Sequence, residues 1–418
     1  MNATQKAVFL GMVIGDDRAQ TAATADDFRA AGLGHLLVVS GQNVAFVLAV
    51  AAPVAARLRP GQRLVVLCGV LMMFAVLTRF EPSVLRAVAM AGVGIGAGAL
   101  GAPVDGRRGL SWAIAGLLVI DPFLVHVLAF QLSAAATAGI VWLSGPLAKR
   151  IPGPSWFRIP FATTVAAQLA VSPLLIVTFG PMPLASLPAN LLAGPVSGPV
   201  MMWGFTAGLV AGLLGGWAAT VIHLPTALML WWISGVASAA ARGPQATLGL
   251  VALTAIGLAV VAALIGPRPL RLLAVAVAAG VCTVAIASAP QAPAGVVALG
   301  YGVELRRTDS LSMIVLHDPG SPRSVLETVR LAGMRSPALV VATHGDAADA
   351  FAVLALNDRF GDLFVIAPPL HRVPGAKTVR RGDEIAFAGQ VVSVVSTNPE
   401  LEIDVSPTPL PSIPASAR

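Results

Sequence analysis

The chain has 418 residues, of which 56% are hydrophobic and only 11% are charged, and its mean hydropathy is +0.82. A soluble globular domain carries about 25% charged residues, so this composition excludes an ordinary soluble protein. Residues 1–290 contain 16 Lys or Arg and 7 Asp or Glu, a net charge of +9, whereas residues 291–418 contain 11 and 13, a net charge of −2. A mildly acidic C-terminal segment argues against a tail that grips nucleic acid by itself.

Residues 1–34 precede the first long apolar run, and we predict that they form an interfacial N-terminal segment. The apolar stretch 7–15 is too short to cross a membrane and is followed by Asp16 and Asp17. Thr24 and the acidic residues after it are typical of a helix start, and the glycines at positions 32 and 34 are expected to end that helix.

The next region, residues 35–290, consists of long apolar runs, and we predict an all-α polytopic membrane domain of about ten transmembrane helices. A span requires about 20 apolar residues. The predicted spans are 36–56, 64–79, 86–101, 110–128, 130–147, 160–180, 196–215, 217–239, 246–266 and 271–289. The apolar segment 181–195 contains Pro183, Pro188 and Pro195, and we interpret it as a broken or re-entrant segment shielded by protein.

The loop charges predict the orientation of these spans, because Lys and Arg concentrate in cytoplasmic loops. One set of alternate loops carries ten basic residues, and the opposite set carries only Arg79, Arg86 and Arg242. With ten spans, both termini then lie outside the cytoplasm.

Residues 291–406 have the composition of a small soluble domain, and their pattern predicts an α/β fold. Predicted strands cover 296–303, 313–317, 338–343 and 363–367, and predicted helices cover 323–332 and 346–356. The stretch 384–396 reads as a hairpin with Gly389 at its turn. Residues 407–418 are rich in Pro and Ser, and we expect them to be disordered.

The stretch 32–44, GLGHLLVVSGQNV, places polar side chains in or at the mouth of the first predicted span. Polar groups at that depth are costly and usually face a bundle interior or a water-filled cavity. The alternative is that they only bond neighbouring helices together. A serine-hydrolase site is disfavoured, because the G-x-S-x-G elbow is absent.

This stretch resembles the hallmark of the ComEC family, the DNA-uptake channel of the bacterial inner membrane, which reads approximately G-L-S-H-L-L-A-I-S-G-L-H-V. Asn43 stands in place of the second family histidine. Further segments of this sequence resemble the family in the same order: 77–87 (LTRFEPSVLRA), Asp121-Pro122, 130–133 (FQLS), Gln168 with Pro173, Phe179-Gly180 and 187–192 (LPANLL).

The resemblance implies a channel that moves single-stranded DNA across the bacterial cytoplasmic membrane during natural transformation. The implied partners are DNA, the lipid bilayer, other proteins of the competence machinery and possible further copies of the chain. Arg86 gives a physical reason to expect a DNA path, since a guanidinium at a span mouth pairs well with a passing phosphate. The alternative is that Arg86 extends to the lipid headgroups. The residues expected to line the DNA path are His35, Ser40, Gly41, Gln42, Asn43, Arg86, Gln131, Ser133 and Asn190.

The C-terminal region resembles the metallo-β-lactamase-like domain that follows the channel in this family. A dinuclear site of that kind needs an H-x-H-x-D-H cluster, because two metal ions require several close ligands. Here only His344, Asp346 and Asp349 remain as candidate remnants, and Ala348 has no ligand atom. We therefore expect a degenerate domain without metal or cofactor, and a protein that is not an enzyme. The alternatives are an inactive membrane scaffold and a metal-dependent nuclease or phosphodiesterase.

Overall fold

The chain folds as two units in the computed structural model, which describes residues 1–38, 41–102, 104–308, 311–387, 390–398 and 400–407. The helical unit comprises Met1–Gln20 and Asp27–Ser288. The tail domain comprises Thr21–Asp26 and Ala289–Arg418.

Helices α1 to α15 precede the C-terminal strands. Their bounds are α1 Ala3–Ile14, α2 Ala22–Ala30, α3 Gly41–Ala55, α4 Pro60–Leu77, α5 Pro82–Ala99, α6 Gly106–Ile120, α7 Leu128–Gly139, α8 Gly145–Arg150, α9 Ser155–Phe179, α10 Ser186–Phe205, α11 Ala207–Leu214, α12 Gly216–Ile222, α13 Leu224–Arg242, α14 Leu250–Ile265 and α15 Arg268–Ala287. A π-helical segment, Ile140–Ser144, joins α7 to α8.

Within the described residues, six helical segments are long and apolar enough to cross a membrane. They are Pro60–Leu77, Pro82–Ala99, Leu128–Arg150, Ser155–Phe179, Leu224–Arg242 and Pro269–Ala287. Large apolar side chains such as Val119, Leu213 and Val251 are more than four-fifths exposed, which suits a surface that meets lipid. The chain is therefore a multi-pass membrane protein, whereas the predicted number of about ten spans is not confirmed.

Two of the predicted spans are shorter or more broken than their apolar runs. The first, 36–56, begins with a short 3₁₀ helix, Gly34–Leu37, and its α-helix starts only at Gly41. At 1.5 Å per residue, the 15-residue α3 is about 22 Å long, short of the roughly 30 Å hydrocarbon core. The predicted span 196–215 is divided at Thr206, whose backbone is not helical.

Within the segment 181–195, which the sequence suggests is broken or re-entrant, the residues from Ser186 onward are helical. Helix α10 starts at Ser186, and Pro188 lies in its first turn, where a missing N–H is tolerated. The residues just before α10 form the short strand β1, Met182–Pro183, which pairs with β2, Thr247–Leu248.

The tail domain contains two sheets and two helices. The remaining elements are β3 Gly295–Gly300, β4 Val303–Arg307, β5 Ser312–Leu316, α16 Pro322–Leu331, β6 Leu339–Ala342, α17 Ala347–Phe360, β7 Phe364–Ala367, β8 Lys377–Thr378, β9 Glu384–Phe387, β10 Gln390–Ser396 and β11 Glu402–Pro407. The larger sheet has the order β3-β4-β5-β6-β7-β8, with parallel pairing from β5 onward, and the smaller has the order β11-β10-β9.

Side chains of the larger sheet alternate between two cores, as the period of a β-strand requires. On β5, Ile314 and Leu316 pack with the apolar faces of α16 and α17. Met313 and Val315 point to the other face, where they pack with residues of the smaller sheet such as Val392. The larger sheet is thus covered by helices on one face and by strands on the other.

Most of the predicted tail elements are confirmed, including both helices and the hairpin of β9 and β10. The predicted strand 296–303 is instead split, because Tyr301 and Gly302 have positive φ angles and turn the chain from β3 into β4. Strands β8 and β11 were not predicted. The proposed turn residue Gly389 and residues 408–418 of the predicted disordered end lie outside the described residues.

Candidate functional site

The helical unit contains a buried arginine, Arg86 on α5, that is only 7% exposed. Its Nε donates a hydrogen bond to the Ser133 hydroxyl on α7, at 2.7 Å. No described carboxylate lies within ion-pair distance of this guanidinium. Ser133 is a neutral acceptor, so no ion pair among the described residues balances the positive charge of Arg86.

Gly41, the first residue of α3, packs directly against this guanidinium. A Cβ placed on Gly41 would lie 2.8 Å from Nη2 of Arg86, 3.0 Å from Cβ of Ala87 and 3.2 Å from the carbonyl oxygen of Ser83. A side chain at this position would therefore have to displace the end of Arg86 and press on Ala87 and Ser83. The start of α3 also carries the positive end of a helix dipole, so the guanidinium and the helix end together favour an anion such as phosphate.

Asn43 lies two residues after Gly41 on α3 and has a structural contact. Its side chain is fully buried, and Nδ2 donates to the carbonyl oxygen of Met12 on α1, at 3.1 Å. Met12 belongs to an apolar core that also includes Met201 and Ile233 of α10 and α13. Asn43 thus ties α3 to the helix that fills this core.

Asn190 on α10 bonds to its own helix and to the turn that follows α2. Its Nδ2 donates to Ser186 O at 2.8 Å and to Gly32 O at 3.4 Å. Gly32 has a φ of +67°, and a Cβ there would approach Cβ of Ser186 to 2.3 Å. The Ser186 hydroxyl accepts a hydrogen bond from Nε2 of Gln168 on α9, at 3.3 Å. Ser186 therefore contacts α9, the turn at Gly32 and Asn190 of its own helix. Ser186 was not among the predicted site residues, because a lone serine after a proline-rich turn carries no sequence signal.

The remaining predicted site residues are not gathered into this arrangement. His35 is exposed within the 3₁₀ helix before α3. Gln131 donates to the carbonyl oxygen of Val125, at 2.6 Å, and so closes the turn before α7. Gln42 is exposed at the start of α3, and Ser40 lies outside the described residues.

In the tail domain, the remnants of the H-x-H-x-D-H motif do not fit a dinuclear metal centre. Asp349 is fully buried, and its Oδ2 accepts the backbone N–H groups of His344 and Gly345, at 3.0 and 2.7 Å. Burial raises the pKa of the Asp349 carboxyl, and the two backbone hydrogen bonds oppose that shift. Asp346 caps α17 by accepting the backbone N–H of Asp349. Both carboxylates thus build the loop between β6 and α17.

His317, which is isolated in the sequence, is not isolated in the fold. One oxygen of Glu400 lies 3.6 Å from Nδ1 of His317, and the other lies 3.4 Å from Nε2 of His344. His317 Nε2 also lies 3.4 Å from Glu304. Sequence analysis missed this group, because its members come from four separate segments.

Apolar helices long enough to span a bilayer define a multi-pass membrane protein, and Arg86 is buried among them. The Competence protein family matches residues 12–274, which include Gly41, Arg86 and Ser133. That match covers more than half of the chain, and the protein belongs to this family.

The chain is also similar to Uncharacterized protein YcaI of Escherichia coli (strain K12), with 28% identity over 251 residues. The alignment covers 54% of this chain and 30% of YcaI, so the chain matches less than a third of that relative's length. No solved structure matches the chain. The family match ends before the tail domain, whose likeness to metallo-β-lactamase domains remains a resemblance.

Proposed function

We propose that this protein conducts single-stranded DNA across the cytoplasmic membrane during natural transformation. Membership of the competence family supports a role in DNA uptake, and the buried site at Arg86 supports transport of a polyanion. DNA carries one phosphate charge per nucleotide and cannot enter hydrocarbon without a protein-lined path.

The arrangement around Arg86 is the observation that carries this proposal. Arg86 lies in the second turn of α5, near the mouth of the span, and is buried there, while Ser133 supplies only a neutral hydrogen bond. A phosphate that passes Arg86 and the start of α3 would meet two positive groups at once. Neither group forms an enclosed cage, which suits conduction, because the phosphate must leave as readily as it arrives.

On this proposal the activity is transport rather than catalysis, and the tail domain faces the outside of the cytoplasm. The carboxylates of the degenerate motif are already used by backbone N–H groups, which supports a tail that does not cut DNA. Interactions with other competence proteins or with further copies of the chain belong to the same proposal.

Deletion of the gene in its native host tests the proposal. We expect the transformation frequency with a chromosomal marker to fall by at least about a hundredfold and to return when the full chain is supplied from a plasmid. Electroporation of the same DNA bypasses uptake and serves as the control. An equal loss after electroporation would place the protein after DNA entry and would contradict a transport role.

A further inference from the structure

The tail domain brings two imidazoles and two carboxylates to one place. His317 directly follows β5, and His344 follows β6 by two residues. Because β5 and β6 are parallel, their carboxyl ends meet at the same edge of the sheet. Glu304 comes from the neighbouring strand β4, and Glu400 lies just before β11 of the smaller sheet.

The hydrogen bonds of Thr343 determine which nitrogen of His344 is free. The Thr343 hydroxyl donates its one proton to Leu316 O, at 2.7 Å. It also lies 3.1 Å from Nδ1 of His344, so it must accept a proton from that nitrogen. In the neutral imidazole, Nε2 then carries a lone pair, and that lone pair faces a Glu400 oxygen at 3.4 Å. Two acceptors in this position repel each other unless a proton on Nε2 or a metal ion lies between them.

The same conflict exists at His317. Its Nε2 faces Glu304 and its Nδ1 faces Glu400, at 3.4 and 3.6 Å. A neutral imidazole has one proton for two carboxylates. Arg306 donates to the second oxygen of Glu304 and so neutralises that residue. Among the described residues, no guanidinium forms an ion pair with Glu400, which lies between the two histidines.

We propose that His317, His344 and Glu400 bind one divalent transition-metal ion, for which zinc is the best match. Two imidazole nitrogens and one carboxylate are a common zinc ligand set that leaves a fourth position open. With metal–ligand distances of about 2.0–2.1 Å, neighbouring ligand atoms of a tetrahedral site stand roughly 3.3–3.4 Å apart. The N–O separations of 3.4 and 3.6 Å resemble this spacing and exceed a hydrogen bond.

The ligands are close but not fully assembled. In the conformation described, no group of three His, Cys, Asp or Glu among the described residues could hold a metal ion, and each histidine faces a different oxygen of Glu400. The Glu400 side chain is 42% exposed and borders a cavity of about 300 Å³ together with His317. A turn of this carboxylate toward the imidazoles completes the site, and the cavity admits the ion and a water ligand.

This site differs from the dinuclear centre of metallo-β-lactamases. It uses a single residue of the degenerate motif, His344, and takes its other ligands from β5 and from the segment before β11. Asp349 contributes indirectly, because its bonds to the His344 and Gly345 backbone fix the loop that presents the imidazole. The proposal does not depend on the transport of DNA.

Zinc binding to the full chain, purified in detergent through a tag that lacks histidine, tests the proposal. The protein is stripped with a chelator, dialysed against zinc, and analysed for zinc per chain by mass spectrometry. Glu400→Gln and His344→Gln remove ligands. Glu402→Gln, an exposed glutamate that borders the same cavity, and His371→Gln, a tail histidine that bonds to Thr378, are the matched controls.

We expect about one zinc per wild-type chain, and zinc affinity at least about tenfold weaker in both ligand variants, with both controls unchanged. Thermal unfolding of each variant shows that the fold is retained. A wild-type protein that holds no zinc would overturn the proposal and leave the cluster as ordinary His–Glu contacts. Zinc retained by both ligand variants would overturn it as well, because the metal would then be bound elsewhere.

Discussion

At the scale of single residues, the polar side chains of the helical unit divide into two groups. Asn43 bonds to the backbone of Met12 on α1, and Asn190 bonds to the backbone of its own helix and of Gly32. This is the structural role that competes with a pore role. Arg86 bonds to a serine hydroxyl and packs against Gly41, and among the described residues it forms no ion pair. The sequence marks all three as unusual in an apolar region but does not show which bonds each makes.

Replacing Asn43 should mainly lower the stability of the folded protein. In Asn43→Leu, the buried carbonyl of Met12 loses its donor, which costs about 1–3 kcal/mol. We expect the temperature of unfolding in detergent, followed by fluorescence, to fall by several degrees. Thr254→Val is the control, because this exposed threonine bonds only within its own helix. Unchanged stability in Asn43→Leu would show that the contact to α1 is dispensable.

Gly41 should tolerate no side chain. Gly41→Ala places a methyl group against Arg86 and the backbone of Ser83, and overpacking of this kind costs about 1–3 kcal/mol. We expect lower transformation and lower thermal stability, with normal insertion measured by membrane fractionation. Gly61→Ala, at a helix start with open space around it, should behave like wild type. Equal behaviour of the two variants would contradict the close packing of α3 against Arg86.

At the scale of elements, the sequence predicted those whose signals are local. The apolar runs of α4, α5 and α9 have lengths that match a bilayer, and α16 and α17 have clear caps at Ser321 and Asp346. It did not predict the interruption at Thr206, since the surrounding residues are apolar on both sides. The sequence also did not predict that His317 and His344 lie close together, because the pairing of β5 with β6 that places them there is long-range.

The N-terminal segment Thr21–Asp26 is an element of the tail domain that composition does not reveal. Ala23 packs in the core beneath α16 and α17. Nε of Arg330 donates to both oxygens of Asp26, at 3.0 and 3.3 Å, and the Asp26 side chain is only 2% exposed. A charged pair so deeply buried couples this segment to α16.

Breaking this pair should loosen the tail domain. Removal of one partner of a buried ion pair costs about 3–5 kcal/mol, whereas replacement of both by apolar residues is often neutral. We expect Asp26→Leu to increase proteolysis of the tail in the full chain, and Asp26→Leu with Arg330→Met to restore most of the resistance. The exposed Asp358→Ala is the control. Resistance in Asp26→Leu equal to that of the wild type would mean that the segment is not anchored there.

At the scale of the whole molecule, the change in composition near residue 290 agrees with the change from helices to mixed sheet that follows α15. The number of spans is less well determined by composition, because helices such as α3 and α6 are 15 residues long and apolar runs do not show where a helix begins. The side of the membrane on which the tail lies therefore depends on the loop charges alone.

Cysteine labelling determines that side. The native residues Cys68 and Cys282 are first replaced by alanine, and one cysteine is placed at the exposed position 358 of the tail or at the exposed position 107. In intact cells whose outer wall is permeable to the reagent, a membrane-impermeant maleimide should label Asp358→Cys and spare Arg107→Cys until the cells are lysed. The reverse pattern would place the tail in the cytoplasm.

The claim that Arg86 contacts DNA during transport is tested most directly by the amount of labelled DNA that enters the cell. Cells that lack the gene are complemented with wild type, Arg86→Lys or Arg86→Ala at equal membrane levels, supplied with fluorescent DNA, and treated with external nuclease. We predict at least about tenfold less protected DNA for Arg86→Ala, because a contact to a charged group of this kind is worth roughly 1.5–3 kcal/mol. Arg86→Lys should retain an intermediate amount, since lysine keeps the charge but not the planar fork. Protected DNA at the wild-type level in Arg86→Ala would show that this arginine only packs helices together, and would contradict the transport path proposed here.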